Sequence, residues 1–173
     1  MTGENRLIKV LLWLALLFCL LVLSKYILFK KNPGYYRNYF AHEYKGYHVK
    51  EGWRHANLKP FSTIRLFSSR RVSSEYSYKN IGGNIIGFIP LGILLPLLFP
   101  FFRRIWRLAG LVFLLSLLFE STQLIAGIGV FDVDDLILNT AGGIAGYILY
   151  AMIRLAVKRL DKNAGTEVTD RRD

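Results

Sequence analysis

Residues 108–131 read LAGLVFLLSLLFESTQLIAGIGVF, twenty-four residues in which Glu120 is the one charge. A helix rises 1.5 Å per residue, so about 20 mostly apolar residues cross the hydrocarbon core of a bilayer. The stretch predicts a spanning helix. Three others meet or nearly meet the same count. VLLWLALLFCLLVLS lies between Lys9 and Lys25 and extends to Phe29 if both lysines snorkel toward water. Residues 80–102, NIGGNIIGFIPLGILLPLLFPFF, carry no charge, and residues 136–153 read LILNTAGGIAGYILYAMI. Four spans put both termini on one side. The first reads as an uncleaved anchor rather than a signal peptide, because no A-x-A-like site follows it and the run is long.

Composition agrees. The 173 residues are 53% apolar and 20% charged, and a mean hydropathy of +0.30 stands beside a net charge of +11. Apolar and basic residues must be segregated along the chain, which excludes an ordinary soluble domain and a disordered one. Cys19 is the single cysteine, so an intrachain disulfide, a four-cysteine zinc site and a CxxC pair are excluded. The predicted fold is all-α: a small polytopic membrane protein with four transmembrane helices and an interfacial, partly helical outer segment. Its expected divisions are an anchor at 1–30, a basic aromatic-rich segment at 31–79, a three-span core at 80–157 and a charged tail at 158–173.

Lysine and arginine in short loops set orientation. Arg103, Arg104 and Arg107 join spans two and three, and Arg154, Lys158, Arg159 and Lys162 follow span four, so these belong inside with Arg6 and Lys9. The segment from Lys30 to Asn80 then lies outside, despite eleven basic residues and three acids. In it, Tyr35, Tyr36, Tyr39, Phe40, Tyr44 and Tyr47 alternate with Lys30, Lys31, Arg37 and Lys45. That pattern suits rings at the headgroup level with cations toward lipid phosphate, or else a solvated loop. Nucleic-acid binding is not expected, since the cations flank spans and no reading motif occurs.

An ionisable group within a span costs several kcal/mol unless it finds a partner, a packed interior or a proton. Glu120 therefore draws attention, with Gln123 at i+3 on the same side. Asp132, Asp135 and Asn139 share a face if the helix has begun by Asp132, and Asn84 stands one turn inside span two. By helical rise, Asn84 and Asn139 lie roughly 6–7 Å inside their outer span ends, and Glu120 is roughly 20 Å from the inner Arg107. Three spans thus offer carboxylates and amides at similar depth, and a shared polar cavity would satisfy them. The alternative is that Asn84, Glu120, Gln123 and Asn139 only tie helices together. GxxxG pairs occur at Gly83 and Gly87 and at Gly142 and Gly146, spacings that allow helix backbones to approach closely in lipid. Pro90, Pro96 and Pro100 predict a bend or break in span two that frees carbonyls, or else a kink that is simply tolerated.

Other chemistry has little support. His42, His48 and His55 recur at six and seven residues rather than the three or four of helical metal ligands. DVDD at 132–135 lacks the glycine and distal glutamate of an EF-hand loop, although magnesium bridging to a phosphate stays open. No nucleophile elbow, P-loop or dinucleotide fingerprint is present, and neither a resident metal nor a cofactor is expected.

NIGGNIIGFIPLGILLPLL at 80–98, FESTQLIAGIGVFDVDDLILNTAGGIAGY at 119–147 and NLKPF with Ile64 at 57–64 resemble the VanZ-like family of bacterial membrane proteins. The likeness covers roughly residues 57–150 and rests on ordered, spaced polar positions; the motif residues it carries over are Asn84, Pro90, Glu120, Gln123, Asp132, Asp135, Asn139 and Gly143. Members often carry an arginine shortly before the FDxDD run, whereas GIGV at 127–130 contains none. The resemblance implies a multi-pass protein of the bacterial plasma membrane and a link to reduced susceptibility to teicoplanin-type glycopeptides. It supplies no reaction.

Three functions follow as expectations. In the first, an accessory protein binds or remodels an envelope lipid or lipid-bearing ligand, with Asn84, Gln123, Asp132, Asp134 and Asn139 as ligand-binding residues. The second is an intramembrane enzyme acting on a lipid-linked envelope substrate, with Glu120 and Asp135 as a catalytic acid–base pair whose environments must separate their pKa values. The third is a proton-coupled carrier or flippase using Glu120. Expected partners are membrane lipids and a lipid-linked envelope precursor or lipoglycopeptide, with self-association left open.

Overall fold

The computed structural model describes residues 3–29, 33–41, 45–68 and 74–170. Its helices are α1 (Gly3–Leu28), α2 (Pro33–Ala41), α3 (Lys45–Arg54), α4 (Ser62–Ser68), α5 (Ser74–Leu98), α6 (Ile105–Ala126) and α7 (Val133–Asp170). Among the described residues there is no strand, only an isolated parallel bridge between Asn57 and Asp132. Four helices are long and apolar enough to cross a membrane: Arg6–Leu28, Asn80–Leu98, Ile105–Ala126 and Val133–Leu160. The all-α, four-span architecture is the one expected.

Burial follows helical spacing. Leu16, Cys19, Leu23 and Ile27 form one buried stripe of α1 and pack with Phe88, Leu91 and Leu95 of α5 and Leu108, Val112 and Phe119 of α6. The opposite face of α1 exposes Leu11, Leu14, Phe18 and Leu21, the surface a helix presents to lipid rather than water. Helix α7 lies against α5 and α6 at the centre, and α1 stands at the edge.

Small residues decide how α5 meets α7. A Cβ on Gly142 would lie 2.1 Å from the Ile85 carbonyl oxygen, one on Gly146 2.1 Å from that of Ile89, and one on Gly92 2.1 Å from that of Gly143. The GxxxG of span four is thus a packing surface. Its partner is Gly92 and not the Gly83–Gly87 pair, because a Cβ at Gly83 would meet nothing within 4 Å. Of the bend, break or tolerated kink expected at the prolines of span two, the break does not occur. Helix α5 runs unbroken across Pro90 and Pro96 to Leu98, and Pro100 opens a short 3-10 turn, Pro100–Arg103. Proline inside a spanning helix is tolerated where neighbours support the backbone.

Among the described residues, the stretch between the first two spans carries three short helices, α2, α3 and α4, that cap one end of the bundle. Tyr36 donates to the Leu28 carbonyl at 3.3 Å, tying α2 to the end of α1. Tyr39 donates to the Ala126 carbonyl at 2.9 Å, tying α2 to the end of α6. Burial pushes the Tyr39 phenol above its ordinary pKa, with Tyr35 adding to the rise. Lys30, Lys31, His42 and Tyr44 lie outside the described residues. His48 packs on the Tyr39 and Tyr47 rings, and His55 Nε2 stands 3.5 Å from Glu51. At the opposite end Arg103, Arg104, Arg154, Lys158 and Arg159 are exposed, Tyr147 donates to the Arg103 carbonyl at 2.6 Å, and Arg107 lies over the Phe101 and Trp106 rings.

Candidate functional site at the capped end

Helix α6 stops at Gly127, whose φ of +67° is the left-handed cap that glycine adopts without strain. The chain then crosses to Asp132, so the end of α6 and the start of α7 stand side by side at the capped end. Asp132 lies just before α7, as its N-terminal cap rather than on its face: Oδ1 accepts the Asp134 N–H at 2.8 Å. The Asp132 N–H donates in turn to Glu120 Oε2 at 3.0 Å. Glu120 is 1% exposed, and a carboxylate so deep is sustained by such donors.

Residues 57–64 dock onto this corner. Asn57 N–H donates to the Phe131 carbonyl at 2.9 Å, and Val133 N–H donates to the Asn57 carbonyl at 3.0 Å. The Asn57 side-chain amide donates to Asp132 Oδ1 at 2.8 Å and to Thr63 Oγ1 at 2.9 Å, while the Thr63 hydroxyl donates to Asp132 Oδ2 at 2.7 Å. Asp134, 0% exposed, accepts the backbone N–H groups of Phe61 at 2.5 Å, Thr63 at 2.7 Å and Ile64 at 3.0 Å. Its carboxylate thus fills the role of an anion at the start of α4, where backbone N–H groups lack intrahelical partners. With acceptor sites turned to protein donors, Asp132 and Asp134 serve as a clamp, and this donor set does not favour magnesium.

The clamp holds Phe61 at a φ of +65°, rare for a residue with a Cβ. Its side chain is 57% exposed, so little packing depends on it. Asn enters that region more readily, so Phe61→Asn is expected to raise stability by about 1 kcal/mol, read as a higher unfolding temperature in detergent.

The remaining site residues divide. Asn84 of α5 donates to Asp135 Oδ1 at 2.5 Å, and Asp135 is buried. Gln123 turns away to α1, where its amide donates to the Ile27 carbonyl. Asn139 donates to Ser116 Oγ at 2.8 Å, one turn deeper than Asp135, and its Oδ1 has no donor among the described residues. The structure therefore joins Glu120 to Asp132, Asp132 to Asp134 and Asn84 to Asp135, while Gln123 and Asn139 act as ties between helices. Ser116, Asn57, Thr63 and Tyr39 are polar partners that the sequence reading did not assign. The N-x-x-P-F-S-T run held the signal for two of them, since a helix starting near Ser62 needs an acceptor for its first N–H groups.

Beside the Asn84–Asp135 pair lies a crevice of about 610 Å³ between α1 and α5. Val22, Leu23, Tyr26 and Ile27 form one wall, and Asn80, Gly83, Asn84, Ile86, Gly87 and Phe88 the other. Tyr26 and Ile86 are 73% and 67% exposed, so the crevice opens sideways onto the surface that faces lipid. Of the expected site residues, Asn84 alone lines it.

Protein VanZ of Enterococcus faecium is 35% identical over 111 residues, which cover 63% of this chain and 62% of that protein. The chain thus spans less than two thirds of the curated relative it matches. No solved structure matches it. The VanZ/LLP1 family profile matches residues 10–154, from within the first span into the fourth, and includes the clamp, the Asn84–Asp135 pair and the crevice. This membrane protein belongs to the VanZ/LLP1 family.

Proposed function

We propose that the protein binds or remodels an envelope lipid or lipid-bearing ligand at its capped end, and so lowers susceptibility to teicoplanin-type glycopeptides. Asn84 carries this reading, because it walls a lipid-facing crevice and also donates to a buried carboxylate. A ligand in the crevice meets an amide whose position is held by Asp135. We place the chain in the bacterial plasma membrane with both termini cytoplasmic. The exposed arginines and lysines at the uncapped end support that orientation under the positive-inside tendency of short loops. An acid–base pairing of Glu120 with Asp135 has less support, since neither residue is part of the crevice wall.

Expression in a glycopeptide-sensitive bacterial host tests the reading. Asn84→Ala and Asp135→Asn are each expected to return the teicoplanin inhibitory concentration to that of cells lacking the protein, with membrane abundance unchanged. Full protection by both variants overturns the proposal. Lost protection together with lost protein also overturns it, assigning the pair a purely structural role.

A further inference from the structure

Gly83 does not serve close helix packing, whereas a Cβ at Gly87, one turn on where α5 faces α1, would lie 3.3 Å from Leu23 Cδ2. Both line the crevice, and a Cβ at Gly83 would enter open space. A side chain at Gly83 would fill the crevice, so this glycine keeps it open. Its walls are apolar along Val22, Leu23, Ile27 and Phe88, and polar groups collect at the capped end in Asn80 and Asn84. The buried Asn80 Oδ1 has no donor among the described residues. From Asn80 to Phe88 the crevice runs about 12 Å along α5. Pro90 adds to the polar character, because it lacks the N–H that would bond the Ile86 carbonyl. The segment from Lys30 to Asn80, which leads into this end, carries eleven cations and three acids.

We infer that this crevice holds one acyl chain of an anionic membrane lipid, with the headgroup at Asn80 and Asn84. The apolar slot fits a hydrocarbon chain, the amides offer donors and acceptors to ester and phosphate oxygens, and the net positive charge of the segment that leads into this end favours an anionic headgroup. The inference rests on the reading above that a lipid is the ligand, and it adds the place, the chain and the headgroup charge.

Full-length protein in phosphatidylcholine nanodiscs, doped with phosphatidylglycerol carrying a mid-chain diazirine, provides the test. After illumination, mass spectrometry is expected to find label on Tyr26 and Ile86 above that on the exposed face of α6. Gly83→Leu should lower crevice labelling about ten-fold, matching the lost burial of roughly two methylenes. Gly110→Leu, the same change at an exposed glycine of α6 with open space around its Cβ position, should leave it unchanged. If the leucine variant fails to fold, Gly83→Ala and Gly83→Val replace it, with labelling falling as side-chain volume grows. Crevice labelling no higher than on α6, or unaffected by the Gly83 series, overturns the inference. Equal labelling by a phosphatidylcholine probe of the same chain overturns the anionic headgroup. The assay contains no antibiotic. Crevice labelling in a protein whose Asn84→Ala and Asp135→Asn variants both protect fully would leave this inference standing while the function proposed above falls.

Discussion

Alanine at Asp134 is expected to cost about 3 kcal/mol and to free residues 57–64 from the start of α7. Asp134 is wholly buried and accepts three backbone N–H groups, from Phe61, Thr63 and Ile64. Each donor left without an acceptor costs about 1–3 kcal/mol when buried, and less where water reaches it, as at the exposed Phe61. The positive end of α4 also loses its anion. Asn keeps the shape and one acceptor oxygen but turns an NH₂ toward one of the N–H groups, so Asp134→Asn should cost about half as much. Thermal unfolding in detergent reads the difference. Hydrogen exchange at Thr63 and Ile64 should rise in step with it, because those amides lose their acceptor. Wild-type unfolding temperature and exchange in the alanine variant would show that the clamp contributes nothing.

That clamp marks where the sequence ceased to be readable. The four spans were legible because lipid imposes a simple rule of length and apolarity, which residues 108–131 satisfy on their own. Glu120 and the DVDD run were legible as anomalies for the same reason: charge in oil needs an explanation. The nature of the explanation was not legible. Asp134 and its acceptors' donors are 71 and 73 residues apart for Thr63 and Phe61, and the donors are main-chain N–H groups that no side-chain pattern reveals. Helix spacing placed Asp135 and Asn139 on one face, yet their partners lie on different helices, Asn84 on α5 and Ser116 on α6. A face of α7 about one turn long is shared between two neighbours, and the sequence alone does not say where the division falls.

The glycines give the sharper case, because one spacing serves opposite ends. Gly142–Gly146 and Gly83–Gly87 have the same pattern, but the first pair brings backbones into contact, whereas in the second Gly83 leaves open space and Gly87 lies against Leu23. The difference comes from the facing helix. Across from Gly142 and Gly146 run the Ile85 and Ile89 carbonyls and the bare backbone of Gly92, whereas across from Gly83 the chain of α1 has drawn away. Periodicity reports that a face is small, and only the neighbour decides whether smallness is used for contact or for room.

Alanine at Gly142 is therefore expected to be among the most damaging single-methyl additions in this chain. Its Cβ would sit 2.1 Å from the Ile85 carbonyl oxygen, and real Cβ atoms do not approach within 3.0 Å, so α5 and α7 must part by about 1 Å in a tightly packed interior. The direction of that Cβ is also the direction of a glycine α-hydrogen. Gly142 and Gly146 thus aim Cα–H groups at the Ile85 and Ile89 carbonyls, contacts worth about 0.5–1 kcal/mol each that separation would weaken together. Overpacking adds about 1–3 kcal/mol, because the blocking atom belongs to backbone and cannot swing aside as a side chain can. The summed loss is about 2–5 kcal/mol, with the Asn84–Asp135 hydrogen bond stretched as well, since it spans the same two helices. Alanine at Gly82 or Gly110, where no atom lies within 4 Å, is expected instead to raise stability by about 0.5–1 kcal/mol through helix propensity. Unfolding temperatures of the three variants in one detergent give the comparison. Gly142→Ala matching the other two in sign would mean that α5 and α7 do not meet backbone to backbone, and the geometry that holds Asn84 beside Asp135 would need a different source.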